Sequence, residues 1–154
     1  MRELVPEPVP ALLVRRLCAD ARLPRRMTDH AAGLDLAACL PDGARTLQAG
    51  ERAAIPTGIA VAIASGYEGQ IRPRSGLALR HGIAIANAPG TIDPDYRGEL
   101  KVLLINLGSD AVEIHHHDRV AQLVVAPVAA VSVREVDVLP PTTRGDAGFG
   151  STGR

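Results

Sequence analysis

Residues 87–98 read Asn87-Ala88-Pro89-Gly90-Thr91-Ile92-Asp93-Pro94-Asp95-Tyr96-Arg97-Gly98. Two Pro and two Gly in so short a stretch exclude a helix and any long strand. Short apolar runs of strand composition flank it, at residues 82–86 and 100–106. Strand, polar turn and strand make a β-hairpin. Two carboxylates, a phenol and a guanidinium crowd into residues 93–97. Asp, Asn, Pro and Gly serve a turn in such a place, and on a rigid scaffold the same residues also serve a ligand. Spacing alone leaves both roles open.

The same grammar runs through the rest of the chain. Residues 11–17 read as a first strand, and residues 22–30 as an irregular, basic loop around Pro24. In residues 31–38, Leu34 and Leu36 point one way and Asp35 the other. Residues 41–43 turn, residues 53–63 hold β-type runs around Pro56-Thr57-Gly58, and Ser65-Gly66 turns again. A strand ends at Pro73, and residues 75–80 suffice for a helical turn with Ser75 in the N-cap place. Residues 107–110 turn, residues 111–115 form a strand, and residues 124–138 hold two β runs that close the sheet. No segment longer than about ten residues shows helical periodicity. This predicts an all-β, single-domain jelly roll, barrel or sandwich, with one short helix.

Composition sets bounds on the chemistry. A chain of 154 residues suits one domain. Apolar residues make up 46%, but aromatics only 2% with no Trp, so the core must be Val, Ile, Leu and Ala. Such a core gains from further burial in an oligomer. Positive and negative residues balance at 17 each, which argues against bulk nucleic-acid binding. The 154 residues hold no apolar run near the ~20 needed to span a bilayer, and the first ten lack a signal peptide's apolar centre. These features predict a soluble, cytoplasmic protein. Cys18 and Cys39 have no metal-type spacing and read as free thiols. His115-His116-His117 invites a metal, but zinc wants three or four convergent ligands and nothing elsewhere completes the set; a polar turn is expected.

Two segments suggest anion chemistry on their own. Arg74-Ser75-Gly76 follows a strand and opens a helical turn, where free backbone N–H groups and a guanidinium suit phosphate. Residues 142–154 have four Gly and few apolar residues, yet contain the only Phe of the chain, Phe149. By composition this is a flexible terminus, and a lone aromatic within it is idle or docks. Pro140-Pro141 marks the boundary between a body of residues 1–139 and an arm of residues 140–154.

Five segments, in order over residues 31–152, resemble the five motifs of the trimeric deoxyuridine triphosphatase (dUTP diphosphatase) family. They are Ala32-Gly33-Leu34-Asp35-Leu36, Pro73-Arg74-Ser75-Gly76-Leu77, the hairpin of residues 87–98, Asp118-Arg119-Val120-Ala121-Gln122-Leu123, and Arg144-Gly145 through Gly148-Phe149-Gly150-Ser151-Thr152-Gly153. Leu34 departs from a common aromatic and His117 from the Gly usual before Asp118. The resemblance implies hydrolysis of dUTP to dUMP and pyrophosphate by water attack on the α-phosphorus. That reaction limits uracil in DNA and supplies dUMP for dTMP synthesis.

The resemblance also implies roles. Asp93 is the catalytic carboxylate that holds and deprotonates the water. Arg74, Ser75 and Gly76 contact the phosphates, Asn87 meets uracil, and Tyr96 packs under the deoxyribose and excludes a 2′-hydroxyl. Gln122 donates to an α-phosphate oxygen. Asp35 acts indirectly, through water, on Mg²⁺ carried by the triphosphate. The arm closes over the nucleotide, with Phe149 stacked on uracil, Arg144 on the γ-phosphate, and Ser151 and Thr152 adding phosphate contacts. Arg97 and Asp95 serve the hairpin, and Asp118 and Arg119 pair with each other. A homotrimer with shared sites follows, each taking the second and fourth motifs from one chain, the hairpin from another and the arm from a third. The alternatives are a dCTP deaminase of the same fold, which needs a proton-transfer Glu near position 103 where this chain has Leu103, and a non-catalytic nucleotide-sensing trimer.

Overall fold

The protein is described by a computed structural model over residues 10–148, built almost entirely from antiparallel strands. In chain order these are β1 (Leu13–Arg16), β2 (Leu34–Ala37), β3 (Arg45–Leu47), β4 (Arg52–Ala62) and β5 (Tyr67–Arg72). The helix α1 (Ser75–His81) follows, then β6 (Ile83–Ile85), β7 (Gly90–Ile92), β8 (Glu99–Asn106), β9 (Val112–Ile114) and β10 (Arg119–Pro127). One four-stranded sheet has the order β1-β4-β8-β6 and a second the order β2-β10-β5-β7, while β3 and β9 form a two-stranded ribbon. The all-β expectation holds in its sandwich form. The described strands do not close into a barrel.

The core lies between the two large sheets and draws on both. β8 alternates with period two: Leu100, Val102, Leu104 and Asn106 are buried, and Glu99, Lys101 and Leu103 face the other way. Its inward side chains join Ile55, Ile59 and Val61 of β4, Leu36 of β2, Ile71 of β5 and Leu123 of β10 in one apolar cluster. Neither tyrosine of the described residues is fully buried, so the core is aliphatic, as the composition leads one to expect. Two polar side chains are buried with them and both are satisfied. Thr57 donates its hydroxyl to the Leu100 carbonyl at 2.6 Å. Asn106 donates to the carbonyls of Leu47 at 3.0 Å and Asp110 at 2.8 Å, and accepts the Gly108 N–H at 2.9 Å. Asn106 thereby ties the end of β8 to β3 and to the turn that leads into β9.

Three local features depart from expectation. The N-cap of α1 is Arg74, in extended conformation and with no side-chain cap bond, so Ser75 is the first helical residue. The helix stops at Gly82, whose φ of 66° is left-handed and whose missing Cβ admits the Gly108 backbone. Of the two β runs expected in residues 124–138, the first is the end of β10 and the second forms no strand. β10 already has β2 and β5 on its two edges. After the Val128 N–H bonds to the Gly66 carbonyl, residues 129–139 pair with no described strand, and the free outer edges of the two large sheets lie on β1, β6, β2 and β7, not on β10. Residues 129–139 are exposed, with Val131, Val133, Val138 and Leu139 among them.

The His115-His116-His117 stretch is a turn, as expected. Asp118 accepts the His115 N–H at 2.8 Å, and His116 Nδ1 accepts the Leu40 N–H at 2.8 Å. His117 adopts φ of 70°, the only positive φ outside glycine among the described residues. The position demands the left-handed conformation that a glycine supplies freely. His117 fills it and gains a 2.7 Å contact from Nε2 to the Asp20 carbonyl oxygen.

Candidate active site

The hairpin is the first half of the site. β7 pairs with β5, Ile71 opposite Gly90, and this seats the polar turn against the second sheet. The peptide between Ala88 and Pro89 is cis. After Asp93 the chain turns back, with the Tyr96 N–H on the Asp93 carbonyl at 3.1 Å. Arg97 donates to the carbonyls of Pro94 at 2.6 Å and Tyr96 at 2.8 Å, so its guanidinium braces the hairpin as expected. The Tyr96 hydroxyl donates to the Glu99 carbonyl at 3.1 Å. That bond lays the ring over Gly98, where a side chain would collide with it.

Asn87, Asp93 and Tyr96 then line one cavity of about 350 Å³ with Ile71, Thr91 and Leu103. A cavity of this size is at the lower end of those that take small ligands. Its wall offers an amide, a carboxylate, a half-exposed phenol ring and apolar side chains. Sequence reading marked Leu103 of β8 only for the deaminase alternative and missed Glu99 and Lys101. Glu99, Lys101 and Leu103 line the same cavity. The period-two alternation of β8 was the available signal, since it turns all three residues away from the core.

The second half lies at the ends of β2, β5 and β10. Asp35, on β2, is opposite Gln122 of β10, and Gln122 is opposite Arg72 of β5. The Asp35 carboxylate accepts from Arg119 at 3.0 Å and lies 3.9 Å from the Arg74 guanidinium. Arg74 also donates to the Arg119 carbonyl at 2.6 Å. Asp35, Arg74 and Arg119 are therefore one knot of charge, and the Asp35 side chain is only 16% exposed within it. The expected pairing of Asp118 with Arg119 is not formed. Arg119 turns to Asp35 across 84 positions of sequence, and Asp118 is used in the histidine turn. No local signal in the sequence marks that partnership.

Gln122 donates to the Pro73 carbonyl at 3.1 Å, beside the start of α1. The first intrahelical bonds run from Leu77 and Ala78 to the Arg74 carbonyl. The N–H groups of Ser75 and Gly76 precede them and have no helical acceptor. Two donors, a hydroxyl, a guanidinium and a carboxamide thus converge at one loop. None of these residues lines the hairpin cavity. Arg144 meets neither group; its guanidinium donates to Ala147 within the arm, at 2.8 Å. Phe149, Ser151 and Thr152 lie outside the described residues.

The dUTPase family model matches residues 19–153. This chain belongs to the dUTPase family. The deoxyuridine 5′-triphosphate nucleotidohydrolase of Syntrophotalea carbinolica is 54% identical over 140 residues, 91% of this chain and 95% of that one. Its counterpart from Desulfotalea psychrophila is 58% identical over 131 residues, 85% and 87% of the two chains. Among solved structures, the dUTPase of Staphylococcus bacteriophage 80alpha with dUPNHPP superposes with a TM-score of 0.86 at 27% identity, covering 94% of this chain and 99% of that one. A mutant dUTPase of Staphylococcus aureus phage phi11, described with a structural Mg(II) ion, gives a TM-score of 0.77 at 26% identity over 85% and 99% of the two chains. The dUTPase motifs of this chain thus fall into a hairpin group and a charged group, held by different strands of one sandwich.

Proposed function

We propose that this chain hydrolyses dUTP to dUMP and pyrophosphate, with the hairpin cavity taking the nucleoside and the Arg74 loop the phosphates. The observation that carries the reading is the cavity shared by Asn87, Asp93 and Tyr96. An amide side chain offers a donor and an acceptor together, which suits the amide edge of uracil. A ring beneath the deoxyribose leaves no space for a 2′-hydroxyl. Of the two carboxylates there, Glu99 already accepts the Gly58 N–H at 2.9 Å and lies 3.8 Å from Lys101, so Asp93 is assigned as the general base, taking a proton from the water that attacks the α-phosphorus. Ser75, Gly76, Arg74 and Gln122 neutralise and orient the phosphates, and fixed donors of this kind act most strongly on charge that develops in the transition state.

Magnesium fits this site only as a passenger. Among the described residues no group of three His, Cys, Asp or Glu side chains could hold a metal ion. The one suitable carboxylate, Asp35, is already paired with Arg119 and Arg74. Such a donor set suits an ion that arrives with phosphate and water ligands of its own, which is how magnesium commonly binds. When bound it supplies neutralisation of phosphate charge, with Asp35 acting on it through water.

We further propose a homotrimer in which the hairpin group of one chain meets the charged group of another. Support comes from the cavity of Asn87, Asp93 and Tyr96, which Arg74, Ser75, Gly76 and Gln122 do not line, and from the exposed valines of residues 131–138, which no described strand covers. Residues 1–139 are assigned to the catalytic body and residues 140–154 to an arm that closes over the nucleotide, bringing Arg144, Phe149, Ser151 and Thr152 to it. The substrate pool places the enzyme in the cytoplasm, where it limits uracil in DNA and supplies dUMP for dTMP synthesis. No helix of the described residues is long and apolar enough to cross a membrane.

A dCTP deaminase of this fold is disfavoured by Leu103, which stands in the hairpin cavity where that reaction needs a carboxylate. The deciding experiment offers dUTP, dCTP, dTTP and UTP in turn with Mg²⁺ and follows pyrophosphate and ammonia together. Pyrophosphate from dUTP alone is expected. Ammonia from dCTP would transfer the chain to deaminase chemistry, and no product from any of the four would leave a nucleotide-sensing protein.

A further inference from the structure

Gln122 stands within β10, between Asp35 of β2 and Arg72 of β5. A carboxamide nitrogen carries two protons. One is spent on the Pro73 carbonyl at 3.1 Å, which leaves the other for a ligand at the Arg74 loop. The other end of the carboxamide lies directly over Gly33. A methyl group built on Gly33 would stand 2.5 Å from Gln122 Oε1, 3.1 Å from its Cβ and 3.2 Å from its Cδ. These are the three nearest atoms it would meet, and all belong to Gln122.

The backbone gives Gly33 no reason to be a glycine. The glycines with positive φ are Gly43, Gly50, Gly58, Gly66, Gly82 and Gly145, and Gly33 is not among them. Its conformation accepts an alanine; the side chain across from it does not. Gly33 is buried, so the added methyl could not turn to solvent. The carboxamide would have to swing, and its bond to Pro73 would go with it.

We propose that Gly33 is a positioning residue: its missing side chain is the space that seats the Gln122 carboxamide, and so aims the free Nε2 proton at the phosphate chain. This rests on the reading of Gln122 as a phosphate donor. Gly33 precedes Asp35 by two residues, so the entry into β2 sets both the carboxylate and the carboxamide of the charged group.

A double-mutant cycle separates the claims. Gly33→Ala, Gln122→Ala and the double variant are assayed for kcat with Mg·dUTP, and their Tm is measured. Gln122→Ala is expected to lower kcat on the order of 10²-fold, as for the loss of one preorganised donor. Gly33→Ala is expected to lower kcat by about tenfold or more, while the double variant is no slower than Gln122→Ala alone. Most of any fall in Tm caused by Gly33→Ala should be recovered once Gln122 is shortened, since alanine there removes the 2.5 Å and 3.2 Å approaches and keeps only the 3.1 Å one to Cβ. Multiplying losses, or a wild-type kcat for Gly33→Ala beside an impaired Gln122→Ala, would overturn the proposal and leave the role of Gln122 intact. A wild-type kcat for Gln122→Ala would remove Gln122 from the site and the proposal with it. If Gly33→Ala is too unstable to assay, the double variant decides: it regains most of the lost stability, or the carboxamide is not what the methyl strikes and the inference fails.

Discussion

Asp93 sits in a cavity that mixes apolar side chains with an amide, a phenol, Glu99 and Lys101, and no guanidinium lines it. Its proposed work needs a base and little else, so Asp93→Asn keeps the shape and deletes the chemistry. We expect kcat to fall on the order of 10³-fold with nucleotide binding retained, measured by single-turnover hydrolysis and by calorimetry with a non-hydrolysable analogue. Cys39 offers a second test at this scale. Burial, and then the Cys18 thiol beside it, push its pKa from the ordinary 9.0 up to about 11. The folded thiol therefore holds its proton where the unfolded one releases it. Its contribution to stability is complete below pH 9.0 and is lost as the pH rises towards 11. Urea midpoints taken from pH 8 to 11 should fall less steeply in Cys39→Ala; an unchanged slope would assign the alkaline loss to other groups. That both cysteines are free was readable from their spacing and number. Their mutual contact was not, because the approach depends on how β1 and β2 meet β4. Arg119 makes the same point at the site, since its partner Asp35 belongs to another strand altogether.

Strands here are specified by short apolar runs between turn residues, and their places along the chain were legible for that reason. The hairpin around residues 87–98, the strand before Pro73 and the alternating β8 all formed where composition puts them. The failure at residues 128–138 is instructive. Alternating valines license a strand, but a strand exists only where an edge accepts its backbone; both edges of β10 are taken, and the run after it pairs with none of the edge strands β1, β6, β2 and β7. Asn106 shows how a single side chain can secure an element. It closes three hydrogen bonds at the end of β8 with no exposure to water. Asn106→Ala should cost about 3 kcal/mol, read from chemical denaturation, because buried groups are left without partners. The arm supplies the complementary case. Truncation after Thr143 should leave Tm within about 2 °C, since residues 142–147 are exposed and, among the described residues, bond only to one another. The same truncation should lower kcat by at least about tenfold if the arm excludes water from the bound triphosphate. A truncated protein of full activity would end the lid assignment.

For the whole molecule, the two-part distribution of motif residues makes a quantitative prediction. If each site joins the hairpin of one chain to the Arg74 loop of another, then Asp93→Asn and Arg74→Ala damage different halves. Unfolded together and refolded as a mixture, the two inactive variants should recover about a quarter of wild-type activity, the share of randomly drawn interfaces in which both halves are sound. No recovery would place the complete site within one chain. The amino-acid sequence by itself determined the all-β class, the order of the strands, the identity of the polar loops and the motifs that mark the family, because each is written in local composition and spacing. Only the tertiary structure decided which of those loops share a space. Asp35 pairs with Arg119 and not with a neighbour, Leu103 and Lys101 join the hairpin cavity, Gln122 lies in the hollow over Gly33, and the last valine run has no partner. All four depend on sheet register and on which strand edges are already occupied, and those are properties of distant segments packed together rather than of any one stretch of chain.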